Sequence, residues 1–269
     1  MTKFKENALI LGLYVNPSQT NIYSMQRITL VSFSSAPSKW YKSQLNLVAS
    51  AKGMGISEAI SYTDINIMPE LVQYYGDCFK GTRGFGFWRW KPFIIRDCLN
   101  QLGDGDIAVY VDSGNTIINS LQPIVDICNR EDVVLFENRD GNRRGEVHKN
   151  GEWTKRDCFI KMKCDEQTYY DAGHVDASYQ LFKKTPENMG LIEEYVTLSK
   201  DDAVITDSPC TLGNNLTRFI GHRHDQSILS LLAAKRNIKM YPSPSECGNH
   251  LAGRTYPQLF WHHRGAIFK

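Results

Sequence analysis

The chain has 269 residues, 42% hydrophobic and 22% charged, enough to bury a large core and near the upper size of a single domain. Its 31 Lys and Arg against 29 Asp and Glu leave a formal charge of +2, which speaks against a general polyanion binder and against nucleic acid as a partner. The seven cysteines (Cys78, Cys98, Cys128, Cys158, Cys164, Cys210 and Cys247) are odd in number and form no Cys-x-x-Cys pair, so reduced thiols in a cytosolic compartment are expected rather than zinc or redox work.

Residues 1–27 read as an extension. Its apolar run Ala8 to Val15 is too short to span a bilayer and lacks a small-residue cleavage site, so a cytoplasmic chain is expected, with peripheral contact at a membrane face left open. Ile28 to Phe33 is β-branched and apolar and reads as a first strand running into the loop Ser34-Ser-Ala-Pro37. Trp40 to Met54 has helical spacing, and Ile56 to Tyr62 reads as a second strand ending at Thr63-Asp64. Apolar residues at Phe93, Ile94, Ile95, Cys98, Leu99 and Leu102 predict a helix from Pro92, a proline suited to the first turn, to the stop at Gly103-Asp-Gly105. Asp106 to Val111 is the next strand, and it delivers Asp112 to a turn over Ser113, Gly114 and Asn115. Strand, helix, strand, helix, strand predicts an α/β fold with a mostly parallel sheet, right-handed crossovers and flanking helices in a single domain. Asp132 to Glu137 is a further strand, whereas Asn138 to Asp157, polar and without period, reads as an exposed loop. Asp176 to Lys184 is strand-like, Pro186 to Ser199 and Asp225 to Arg236 are helical, and the tail from Tyr241 reads as irregular.

Four constellations could carry chemistry. Asp112 with Asn115, at the carboxyl edge of a sheet, offers oxygen ligands to a hard cation such as Mn²⁺ or Mg²⁺, or else simply caps the strand through an Asx-turn. Arg83-Gly-Phe-Gly-Phe-Trp88-Arg89-Trp90-Lys91-Pro92 combines glycines that permit close backbone approach, aromatics able to wall a pocket, and cations beside a helix N-terminus. Two such cations oppose the helix dipole unless an anion is present, although the aromatics could equally pack the helix start on the sheet. In Gly221-His-Arg-His224-Asp225-Gln226-Ser227, Asp225 is either the N-cap of the following helix or a general base with Gln226 beside it, tuned by an adjacent imidazole. His262-His263-Arg264-Gly265 supplies one imidazole for a metal or a phosphate contact if the tail folds over the site, and is otherwise a solvated tail. Weaker candidates are Asp176 with Gln180, which would project together from a strand, and Thr154-Lys155-Arg156-Asp157, a basic run that is either solvated or touches a phosphate. Glu193-Glu194 reads as a wet helix face.

Taken in order, the Arg-Gly-Phe-Gly-Phe-Trp-Arg-Trp-Lys-Pro segment, the strand ending Val-Asp-Ser-Gly and His-Arg-His-Asp-Gln-Ser resemble the GT-A-type nucleotide-sugar glycosyltransferases. Within them the chain is most similar to small capsule and surface-glycan transferases carrying a Gly-x-Gly-x-Trp-x-Trp-Lys-Pro segment, over roughly Ile28 to the C-terminus. The resemblance implies a Rossmann-like sheet and transfer of a sugar, from a UDP-linked or related nucleoside-diphosphate donor, to a hydroxyl of a glycan or glycolipid acceptor. It implies Mn²⁺ or Mg²⁺ held by an Asp-x-Asp motif, in which Asp112 matches the first acid and Gly114 stands where the second would be. Asn115, His262 or His263 would then compensate. It further implies a nucleoside edge at Ser32, Phe33 and Thr63, donor contacts from Arg83, Trp90, Lys91, Ser113 and Gly114, acceptor contacts from Asp176 and His224, and Asp225 with Gln226 at the reacting centre. Residues 28–120 would form the nucleotide-binding half and 121–269 the acceptor half. Rival expectations are a metal-dependent nucleotidyl- or phosphotransferase and an inactive glycan-binding protein of the same fold.

Overall fold

The computed structural model describes residues 25–79, 82–139 and 145–268; Ala8 to Val15 and most of the 1–27 extension lie outside the described residues. The chain runs β1 (Ile28–Ser34), α1 (Ser38–Ser50), β2 (Glu58–Thr63), α2 (Met68–Tyr75), the short turn α3 (Gly84–Phe87), α4 (Trp90–Gln101) and β3 (Ile107–Val111). It continues with β4 (Asn115–Ile117), α5 (Gln122–Glu131), β5 (Val133–Glu137), α6 (Asn150–Trp153), α7 (Arg156–Lys161), α8 (Gln167–Asp171) and β6 (Val175–Lys183). The remainder is α9 (Pro186–Leu198), α10 (Asp202–Ile205), α11 (Asp225–Lys235), β7 (Met240–Tyr241) and β8 (Phe260–His262).

Six strands form one sheet in the order β2-β1-β3-β6-β5-β7, and β4 pairs with β8 in a two-stranded ribbon. The α/β class with helices on both faces is as expected. The sheet is mixed, because β6 inserts antiparallel between β3 and β5, while β1–β2, β1–β3 and β5–β7 are parallel. Side-chain alternation splits the strands between two cores: Ile107, Val109 and Val111 of β3 face α1 and α5, while Ala108 and Tyr110 face the side covered by α4, α9 and α11.

The tail is not irregular throughout, since Asn115 pairs with His262 and Ile117 with Phe260. The stretch expected as an exposed loop from Asn138 to Asp157 instead holds α6 and the start of α7, with Asn150, Thr154, Lys155 and Asp157 buried. Lys155 Nζ donates to the carbonyls of Thr206 (2.8 Å) and Ser208 (3.2 Å), and Asp157 accepts from the Thr211 and Leu212 amides at 2.8 and 2.9 Å. These two charged residues fix the segment after α10, a structural role that a reading of the basic run as solvated misses. Glu193 and Glu194 are paired rather than merely wet, with Arg96 and Arg236 respectively. No helix among the described residues is long and apolar enough to cross a membrane.

Candidate active site

The period of two along β3 places Asp112 on the Tyr110 side of the sheet, the side covered by α4, which carries Lys91. The ammonium of Lys91 is buried between two acids, 2.9 Å from Asp225 Oδ2 and 3.4 Å from Asp112 Oδ1, and donates to the Ala177 carbonyl at 3.2 Å. Burial alone would lower the Lys91 pKa, but the charges of Asp112 and Asp225 overcome it and hold it above its usual value. Burial pushes Asp225 up to about 6 against the opposing pull of Lys91. Tyr110 donates its hydroxyl to Asp112 Oδ1 at 2.5 Å, which anchors that carboxylate, and Tyr195 donates to the backbone carbonyl of Asp225 at 3.0 Å, which holds the main chain there. Asp225 is the first residue of α11 and not its cap. The cap position falls on His224, which adopts φ 54° and makes no side-chain capping bond.

Two chambers meet at Asp112. The first, about 850 Å³, is walled by aromatics from the Arg83–Lys91 segment and from β1, with Trp90 stacked on Phe33 at 4.0 Å between ring centres. Its shape depends on a left-handed backbone from Gly84 to Trp88, where every residue has a positive φ between 54° and 81°. A side chain at Gly84 would sit 2.4 Å from the Trp88 ring, and one at Gly86 2.5 Å from Phe79. The glycines therefore let the backbone touch aromatic faces, while Phe85, Phe87 and Trp88 carry conformational strain of the kind that clusters at functional sites. Trp90 donates its indole N–H to the Gly84 carbonyl at 3.1 Å, closing the turn.

The second chamber, about 590 Å³, is polar and lies on the Asp225 side, with Gln226, Asp176, Trp153 and Arg223 in its wall. Gln226 accepts from the Ala177 amide at 3.3 Å, and Asp176 accepts from the Ser178 amide at 3.0 Å. His224 stacks on Trp88 (5.3 Å between centres), with Nδ1 2.8 Å from the Ile205 carbonyl and Nε2 3.5 Å from Asp207. Asp112, Arg83, Trp88, Ser178, His262 and Arg264 border both chambers.

The ribbon of β4 and β8 brings the tail to this junction. A side chain at Gly114 would lie 2.9 Å from Arg264 Cα, and the Arg264 amide donates to the Gly114 carbonyl at 2.9 Å. The missing second acid thus has a steric reason: the tail backbone occupies its space. Among possible metal donors, Asp112 retains Oδ2 without a hydrogen-bond partner among the described residues, and His262 lines both chambers. Asn115 is buried, donating to the Asp112 carbonyl at 2.8 Å and accepting the Tyr179 hydroxyl at 2.5 Å. His263 is buried with Nδ1 accepting the Gly265 amide. No group of three His, Cys, Asp or Glu side chains stands ready for a metal among the described residues. One carboxylate oxygen and one imidazole therefore fit a divalent cation only where diphosphate oxygens supply further ligands.

Phe33, Arg83, Trp90, Asp112, Ser113 and Gly114 line the aromatic chamber, and Lys91, Asp176, His224, Asp225 and Gln226 the polar one. Ser32 is fully buried in β1, Thr63 takes the Asn66 amide at the far edge of the sheet, and neither borders a chamber. Gln180 is also buried, donating to the Ala177 carbonyl, because β5 and β6 shift register near it; it does not project into the cleft with Asp176. Sequence reading missed Tyr110, Trp40, Trp153 and Ser178, and it gave Arg223 no role of its own although that residue lies inside the His-Arg-His-Asp-Gln-Ser run. Of the four missed, Tyr110 carried a signal, standing two residues before Asp112 on one strand face.

No protein-family model matches the sequence, and no curated protein matches it. Among solved structures, the chain is similar to mouse xyloside xylosyltransferase 1 (10% identity, 88% of this chain and 97% of that one, TM-score 0.46). It is similar to the galactosyltransferase LgtC in complex with donor and acceptor sugar analogs (12% identity, 87% and 86%, TM-score 0.43). It is also similar to the 4-diphosphocytidyl-2C-methyl-D-erythritol synthase of Anaerococcus prevotii (12% identity, 78% and 96%, TM-score 0.34).

Proposed function

We propose that the chain is a GT-A-type glycosyltransferase that moves a sugar from a nucleoside-diphosphate donor, UDP-linked in the first instance, to a hydroxyl of a glycan or glycolipid acceptor. The observation that carries this reading is the position of Asp112, at the carboxyl end of β3 where an aromatic chamber and a polar chamber join. The aromatic chamber suits a nucleobase and ribose, with Phe33 and Trp90 as its wall; it draws mainly on residues 33–114, and the polar chamber mainly on later ones. Arg83 and Arg264 border both chambers and would meet the diphosphate between them.

Mn²⁺ or Mg²⁺, bound with the donor, would be held by Asp112 and His262 and would supply positive charge to the departing diphosphate. The protein's own groups do the rest. Asp225, ionised and facing the polar chamber, takes the proton of the acceptor hydroxyl at its carboxylate if the anomeric configuration inverts. If it is retained, the same carboxylate steadies the cationic sugar carbon. Lys91 keeps that carboxylate charged and in place. Gln226, anchored through its carbonyl oxygen, presents its amide nitrogen to the same chamber. Arg83 and Arg264 stabilise charge that grows on the leaving group.

Asp112→Ala should abolish the Mn²⁺-dependent part of nucleoside-diphosphate affinity in calorimetry while leaving the protein folded. A panel of nucleotide sugars screened by thermal shift names the donor, because a ligand favouring the native state raises its midpoint. Product analysis with acceptors then separates sugar transfer from nucleotidyl or phosphoryl transfer. Unchanged affinity in Asp112→Ala would overturn the reading.

A further inference from the structure

Arg223 stands between two histidines whose rings turn inward: His222 Nε2 lies 2.8 Å from the Val204 carbonyl, and His224 Nδ1 lies 2.8 Å from the Ile205 carbonyl. The intervening side chain is turned the other way, into the polar chamber, where its guanidinium lies over the Trp153 indole, 4.2 Å from the ring centre.

Of the neighbouring cations, Arg264 also has no acidic partner among the described residues, whereas the others are paired. Lys91 is shared by two aspartates, Arg139 pairs with Glu137 and Arg83 with Asp207. Arg223 is half-buried and has no acidic partner among the described residues; the charges it feels are those of Arg83 and Arg264. Burial first, and then these like charges, hold its pKa below the usual arginine range. Three guanidiniums lining one chamber repel one another unless an anion enters it, and the planar fork matches a phosphate or carboxylate with two parallel hydrogen bonds.

Arg83 and Arg264 reach both chambers, but Arg223 borders the polar chamber alone. Its guanidinium therefore opens on the polar chamber, beyond the junction that Arg83 and Arg264 share.

We propose that the polar chamber takes an acceptor bearing a fixed oxyanion, a phosphate monoester or a carboxylate, gripped by the Arg223 fork on its Trp153 shelf. Naming the occupant as the acceptor rests on the transferase reading; the anion site itself does not. Arg223 would act as a specificity-determining residue, selecting charged acceptors over neutral sugars.

The test saturates the protein with Mn²⁺ and the tightest-binding nucleoside diphosphate. Glycerol 3-phosphate, methyl glucuronide and neutral methyl glucoside are then titrated by calorimetry against the wild type, Arg223→Gln and Arg223→Lys. One of the two anionic probes should bind the wild type about tenfold or more tighter than methyl glucoside, and which one does so distinguishes phosphate from carboxylate. That preference should vanish in Arg223→Gln and fall about fivefold in Arg223→Lys, which keeps the charge but not the fork, while nucleotide affinity stays within about twofold. Should Arg223→Gln fail to fold, the lysine variant decides by the same fall. Equal binding of charged and neutral probes by the wild type overturns the proposal, as does a loss of nucleotide affinity in Arg223→Gln as large as that in Arg83→Gln. If no nucleoside diphosphate binds at all, the transferase reading falls, and the same titrations on the protein alone still decide the anion site.

Discussion

Lys91→Met removes the ammonium on which the site is centred. Its side chain is 4% exposed and lies 2.9 Å from Asp225 and 3.4 Å from Asp112. At an effective dielectric constant of about 20 these separations correspond to attractions of about 6 and about 5 kcal/mol. Desolvating the ammonium and the carboxylates offsets much of that sum, and removing one partner from a buried ion pair costs about 3–5 kcal/mol. Protonation limits the cost. Asp225 already titrates at about 6 in the intact protein, and without Lys91 it titrates higher, so it sheds its charge as the pH falls. A carboxyl whose folded pKa lies above its unfolded value destabilises the fold when ionised and stops doing so as pH falls through the folded value. The variant should therefore lose about 3 kcal/mol at about pH 8 and clearly less at about pH 5.5. Urea unfolding followed by tryptophan fluorescence at the two pH values measures both losses. A loss under about 1 kcal/mol at the higher pH, or the same loss at both, would refute the account of Lys91 as the counter-ion of two acids.

Two further outcomes follow from the same geometry. If Asp225 is the working carboxylate, transfer should fall as pH drops through about 6, where it takes a proton, and Asp225→Asn should remove that limb along with nearly all activity; near-native turnover in Asp225→Asn would leave Asp225 a merely structural residue. Gly114→Ala places a methyl group 2.9 Å from Arg264 Cα and should push the tail away, costing about 1–3 kcal/mol and weakening nucleotide binding together; thermal melts and calorimetry on the one variant check both.

Much of the frame of the candidate site was legible in the sequence because it lies on regular elements with clear periods. The unbroken apolar run Ile107 to Val111 marked the buried strand that delivers Asp112, while the side of the sheet on which Asp112 emerges came from the packing of its two faces. Phe93 to Leu102 marked the helix that carries Lys91, and Ile228 to Leu232 the one that begins at Asp225. The arrangement of β6 was not legible, since a strand's alternation is the same whichever direction it runs between its neighbours. Nor were the buried roles of Lys155 and Asp157, whose partners lie about fifty residues further on.

The sequence by itself determined the α/β class, the acid at the end of β3 and the order in which the chemistry-bearing segments occur, because these depend on local period and turn chemistry. Only the tertiary structure decided what those segments do to one another. It seats Lys91 between acids 21 and 134 positions away, fills the place of a second acid at Gly114 with the backbone of Arg264, and leaves Arg223 without a counter-charge among the described residues. Each of these depends on contacts between residues distant in the chain, which no local pattern encodes.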